Sequence, residues 1–91
     1  MAGKETFGEF LRAQRLRAGF GLRAFAEAAG LQPSNLSNME HGRIPPPQDK
    51  ETLDELANLL GLRKGSPERA KLFDLAVAGK RPDENRAGPE R

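Results

Sequence analysis

Cysteine, tryptophan and tyrosine are absent from this 91-residue chain, and histidine occurs once, at His41. Without cysteine there is no disulfide, no thiolate metal site and no thiol nucleophile. A single histidine leaves no credible metal site, and no serine-and-carboxylate arrangement surrounds it to complete a hydrolytic triad. The lack of Trp and Tyr removes common anchors of protein interfaces and of single-strand stacking platforms. No apolar run approaches the roughly 20 residues of a membrane span, and no signal peptide is expected ahead of the first helix. These absences set the expectation of a soluble, cytoplasmic, all-α protein that is not an enzyme, holds no metal or cofactor and does not enter a membrane.

The length suits one small domain with a single core. Ten glycines and seven prolines are present, and they fall at turns and near the C-terminus rather than inside the apolar periods. The formal charge is only +2, but it is unevenly spread. Residues 49–60 carry Asp49, Glu51, Asp54 and Glu55 against Lys50 alone, whereas the segments before and after hold more basic than acidic side chains. A phosphate backbone would repel the acidic segment, so it is expected to face away from any nucleic acid.

Taken in order, Lys4 reads as part of a mobile arm, and Thr6-Phe7-Gly8-Glu9 as a capping box. A first helix follows to about Ala18, with Phe7, Phe10, Leu11 and Ala18 facing inward, and Gly19 ends it. Gly21 opens a second helix, in which Leu22, Phe25, Ala26 and Ala29 fall on one face. Gly30 closes that helix, since a left-handed terminal residue suits glycine. Pro33 fits the first position of a third helix, about 33–41, where its missing N–H costs nothing. This helix turns Leu36 and Met39 inward and keeps Ser34, Asn35, Ser37 and Asn38 as an uncharged polar face.

Ile44-Pro45-Pro46-Pro47-Gln48 is a stiff extended connector. A fourth helix runs from about Asp49 or Lys50 to Leu60, with Leu53, Leu56, Ala57 and Leu60 at core spacing. Ser66 and Pro67 start a fifth, about 67–78, carrying Leu72, Phe73, Leu75, Ala76 and Val77, and Gly79 ends it. Residues 1–79 are therefore read as one domain and 80–91 as a disordered charged tail, in which Lys80 and Arg81 are solvated or touch phosphates.

Phe25-Ala26, Gly30-Leu31, Leu36-Ser37 and Met39-Glu40-His41-Gly42-Arg43 resemble the helix-turn-helix of the phage-repressor (Cro-like, XRE-type) DNA-binding family. Gly8, Arg12 and Arg15 before them extend the resemblance, as do Thr52-Leu53, Leu56-Ala57 and Leu60-Gly61-Leu62 after them, so it covers about residues 7–62. It implies a compact five-helix bundle whose second and third helices form the motif, with the third in the major groove of double-stranded DNA. One departure is visible. The family usually carries Ser or Thr and then a phosphate-holding Gln where this chain has Gly21-Leu22.

Carried over residue by residue, the resemblance places base reading at Pro33, Ser34, Ser37 and Asn38; Gln32, immediately before the helix, is positioned to serve a base or a phosphate. Asn can pair bidentately with adenine, and Ser meets several base patterns. Phosphate contacts fall on Gly21, Leu22 and Arg23 at the start of the second helix, and on Asn35, His41, Gly42 and Arg43. Arg15 is expected to pair with Glu40; solvation at the surface is the alternative for any helical Arg.

The implied function is a sequence-specific transcriptional regulator, most often a repressor in the family it resembles. An antitoxin, a phage regulator and a restriction controller all remain open. A homodimer on a palindromic operator is expected, joined through Leu72, Phe73, Leu75, Ala76 and Val77; the alternative is that these residues only cap the monomer's core. A toxin or other protein is a further conceivable partner. The contrasting reading is a protein-binding adaptor that keeps the fold and has lost DNA binding.

Overall fold

The computed structural model describes residues 5–79. The expected arm at Lys4 and the expected tail over 80–91 lie outside the described residues. Five helices follow one another: α1 (Phe7–Arg17), α2 (Leu22–Ala29), α3 (Pro33–Glu40), α4 (Lys50–Leu59) and α5 (Pro67–Ala78). There is no strand among the described residues.

Each start has a local cause. Thr6 and Glu9 close the capping box on α1, with the Glu9 N–H donating to Thr6 Oγ1 and the Thr6 N–H to Glu9 Oε1. The Asp49 carboxylate accepts from the Thr52 N–H and caps α4. The Ser66 hydroxyl does the same for α5 by accepting from the Arg69 N–H. Each such cap is worth about 0.5–2 kcal/mol. The turn between α2 and α3 depends on Gly30, which sits at φ +73°. Its N–H reaches the Glu27 carbonyl and the Leu31 N–H reaches that of Ala26, so the exposed carbonyls of α2 are satisfied while the chain reverses.

The core gathers Phe7, Phe10 and Leu11 of α1, Phe25 and Ala26 of α2, and Leu36 and Met39 of α3. From α4 and its C-cap come Leu53, Leu56, Ala57 and Leu60, and from α5 Leu72 and Ala76. Burial of a Leu or Phe side chain contributes about 1.5–3 kcal/mol, so these positions carry the fold. Phe20, just past α1, packs edge-on against Phe25 with ring centroids 5.2 Å apart. The helices α2 and α3 pack on each other, and α1 lies against both α3 and α5. Contact between α1 and α3 is backbone-close: a Cβ added at Gly8 would stand 2.5 Å from the Met39 carbonyl oxygen. Only glycine permits that approach. The acidic α4 packs chiefly against α2 and α5.

Two expectations change. Ala18 is exposed rather than inward, because α1 stops at Arg17 and Ala18 is its cap, from which the chain turns away. Gln14 takes the core-facing place on the next turn of the Phe7, Phe10, Leu11 stripe, and its side chain faces a groove also lined by Arg17, Leu62 and Arg63. On α5, Leu72 and Ala76 are fully buried within this chain and have no surface to offer a partner. Phe73 and Leu75 pack partly against the same core, while Val77 is 67% exposed. The apolar face of α5 is therefore mostly spent on its own domain, and only its outer edge remains free.

Candidate nucleic-acid interface

The polar residues of α3 divide as their helical positions require. Leu36 and Met39 point into the core, whereas Ser34 and Asn35 are exposed and Ser37 and Asn38 half-buried. Gln32 is the exposed N-cap and Pro33 the half-buried first residue. The one acid on α3 is Glu40, and it is turned inside. Arg15 grips it bidentately, Nε to Oε2 at 2.6 Å and Nη2 to Oε1 at 3.0 Å, while Arg15 Nη1 donates to the Phe20 carbonyl at 2.9 Å. Those side chains are only 6% and 2% exposed. The pair pins α1 to the end of α3 and to the turn before α2. It also removes from the surface the one α3 charge that would repel a phosphate.

The helix starts show a second pattern. Side-chain caps and first-turn acids are present on α1, α4 and α5, as Thr6 with Glu9, Asp49 with Glu51 and Ser66 with Glu68. Neither feature is present on α2 or α3. Gly21 caps α2 with backbone alone, and its carbonyl accepts the first helical bond, from the Phe25 N–H. By helix geometry the N–H groups of Leu22, Arg23 and Ala24 lack intrahelical partners, as do those of Ser34 and Asn35 on α3. Uncapped starts with no nearby carboxylate hold partial positive charge and suit anions. Arg23 is exposed within the first turn of α2. The Leu22 side chain instead packs against the core, so its own contribution to such a site is confined to its main-chain N–H.

Past α3 the chain folds back over the helix. The Gly42 N–H donates to the Met39 carbonyl, and the Arg43 N–H to that of Asn38 at 2.8 Å. His41 Nδ1 lies 2.8 Å from the Ser37 carbonyl oxygen, a contact that requires the proton on Nδ1. Arg43 Nη1 donates to Asn38 Oδ1 at 3.3 Å. The exposed residues His41, Gly42 and Arg43 thus form one edge beside Ser37 and Asn38.

Reading the sequence missed the clasp around Arg69. This α5 residue is buried, and its guanidinium donates to Asp54 Oδ1 at 2.9 Å, Asn58 Oδ1 at 3.0 Å and the Leu62 carbonyl at 2.8 Å. The Arg69 hydrogen bond, followed by the charge of nearby Lys50, holds the Asp54 carboxyl below the ordinary carboxylate range. Bonding from Thr52 likewise lowers Asp49. Two of the four carboxylates in the acidic segment are therefore engaged within the fold, one capping α4 and one fastening α5. Gln48 was also missed: its Nε2 donates to the Ala76 carbonyl at 2.9 Å and satisfies the last turn of α5. A lone arginine on an otherwise apolar helix face was the available signal for Arg69; nothing local marked Gln48.

Metal-ligating clusters are absent among the described residues, and no described helix is long and apolar enough to cross a membrane. Comparison with known proteins gives a consistent result. The family model described as "Helix-turn-helix domain" matches residues 6–72, from the α1 cap into α5. The crystal structure of the clp gene regulator ClgR from C. glutamicum is similar, with a TM-score of 0.58 and 29% identity. That similarity covers 84% of this chain and 90% of that one. No curated protein matches the chain. The matched family model, the all-helical fold and the α2–α3 geometry lead to one assignment: the chain belongs to the helix-turn-helix family of DNA-binding transcription regulators, of the Cro-like (XRE) type.

Proposed function

We propose that this regulator is a sequence-specific repressor that binds a palindromic operator as a homodimer, with α3 in the major groove. The observation that carries the reading is the contrast between helix starts. The two helices of the motif are the two left without side-chain caps or first-turn acids, and the acid on α3 is buried. That arrangement leaves N–H donors and neutral polar side chains where a duplex would lie. The similar protein ClgR is a clp gene regulator, and control of genes through operator binding is the activity proposed for this chain.

In this reading Gln32, Pro33, Ser34, Ser37 and Asn38 face base edges. Arg23, Asn35, His41, Gly42 and Arg43 meet phosphates, together with the main-chain N–H groups after Gly21, including that of Leu22. The departure at Gly21-Leu22 places more of the phosphate grip on backbone and on Arg23. A monomer presents one α3, enough for a few base pairs; a two-fold dimer sets two about 34 Å apart, one helical turn of DNA. The outer edge of α5, centred on Val77, is the surface proposed for that dimer.

Selection of bound sites from random duplexes, followed by a salt titration on the selected site, tests the reading. The expected result is a two-fold symmetric site whose affinity falls steeply and log-linearly with salt. Flat salt dependence and no enriched sequence would reject it in favour of an adaptor that binds protein.

A further inference from the structure

The contact between Arg43 and Asn38 bears on which base is read. Resting on the reading that α3 faces base edges, we infer that Arg43 acts on specificity through Asn38. Together the two residues read a guanine, not the adenine that a free asparagine would favour.

Backbone geometry makes these residues neighbours before any side chain is considered. The Arg43 N–H donates to the Asn38 carbonyl at 2.8 Å, closing the left-handed turn after α3, so Arg43 returns beside the residue five positions earlier. Its Nη1 then donates to Asn38 Oδ1 at 3.3 Å. Asn38 is half-buried on α3, whereas Arg43 is exposed, so the guanidinium keeps further donors facing outward.

The consequence follows from hydrogen-bond inventory. Adenine presents an acceptor, N7, beside a donor, N6–H, and a free asparagine matches it by donating through Nδ2 and accepting through Oδ1. The Arg43 proton takes one of the two Oδ1 lone pairs, and its positive charge stands beside that oxygen. This weakens Oδ1 as an acceptor for adenine N6–H and leaves Nδ2–H as the amide's stronger group toward the groove. Guanine offers two adjacent acceptors, N7 and O6, and complements an edge dominated by donors. Thymine offers O4 alone, and cytosine presents a donor that this edge would repel. Arg43 is thus a positioning residue for Asn38, beyond any phosphate it touches.

Site selection with wild type, Arg43→Ala, Arg43→Lys and Asn38→Ala tests the inference, with circular dichroism confirming equal helix content. Wild type is expected to select guanine at one position of each half-site. Asn38→Ala should lose preference there, by roughly tenfold or more against the other bases. Arg43→Ala should bind more weakly and move that position toward adenine, because Oδ1 is released. Arg43→Lys should keep part of the guanine preference, since it retains a donor. If Arg43→Ala keeps the wild-type base profile and only weakens all sites alike, Arg43 serves phosphate alone and the inference fails while the major-groove reading stands. Adenine at that position in the wild type would also overturn it. If the wild type enriches no sequence, the parent reading fails instead.

Discussion

The Arg15–Glu40 pair offers the sharpest test of how the motif is held in place. Both side chains are nearly withdrawn from solvent, at 6% and 2% exposure, and the two parallel hydrogen bonds are supplemented by the bond from Arg15 to the Phe20 carbonyl. Replacing Glu40 by Leu leaves a guanidinium buried against one carbonyl, with two of its donors unanswered. Breaking a buried pair in this way costs about 3–5 kcal/mol, compared with about 0–1 kcal/mol for an exposed pair. Arg15→Met leaves the Glu40 carboxylate buried at the C-terminal end of α3, where the helix dipole also disfavours it. Joined as Arg15→Met/Glu40→Leu, the changes remove both charges together, so the double variant should be more stable than the sum of the single losses implies. Neighbouring residues of this kind show couplings of about 0.5–3 kcal/mol, and this fully bidentate pair should lie in the upper half of that range. Urea melts followed by circular dichroism at 222 nm give all four corners of the cycle. In a domain of this size each 1 kcal/mol moves Tm by roughly 4–8 °C, so thermal melts will separate the variants easily. A coupling indistinguishable from zero, or single variants that melt like wild type, would refute the argument that this pair fixes α1 to α3.

Three further outcomes follow from particular contacts. Gly8→Ala should destabilise the fold by about 1–3 kcal/mol in urea melts, because the new methyl meets backbone carbonyls of Met39 and Glu40 that cannot yield as a side chain would. Asp54 has its carboxyl lowered by Arg69, so its contribution is present above the ordinary carboxylate range and is lost as pH falls through the lowered value. Asp54→Asn should therefore be less stable than wild type at pH 7, and the gap should narrow in urea melts as pH falls below the ordinary carboxylate range toward the lowered value. Val77→Asp should stay folded, within about 0.5 kcal/mol of wild type, yet sediment as a monomer and bind a palindrome no better than a half-site. Phe73 is a poorer probe, since it packs partly on the core and its replacement would confuse dissociation with unfolding.

The number and order of the helices, and where each begins, were determined by the sequence alone. Thr6-Phe7-Gly8-Glu9, Gly30, Pro33, Asp49 and Ser66-Pro67 act through bonds to residues within about five positions, so their meaning survives without knowledge of the rest of the chain. Leu36 and Met39 were legible as inward for the same reason, their spacing being a property of one helix. Arg15 and Glu40 are 25 positions apart, and their pairing came from the family resemblance, supported by Arg15 lying on the Leu11 stripe and Glu40 following the inward Met39. Tertiary structure decided the rest. Whether Gln14 or Ala18 faces the core depends on where α1 stops and what docks beside it. How much of Leu72, Phe73, Leu75, Ala76 and Val77 stays free depends on how α1 and α4 cover α5, and a run of apolar residues cannot state that. The clasp of Arg69 on Asp54, 15 positions away, and the reach of Gln48 to Ala76 across 28, join groups whose proximity exists only after the helices pack. Long polar side chains find partners through space, and their sequence neighbours carry no record of where those partners will be.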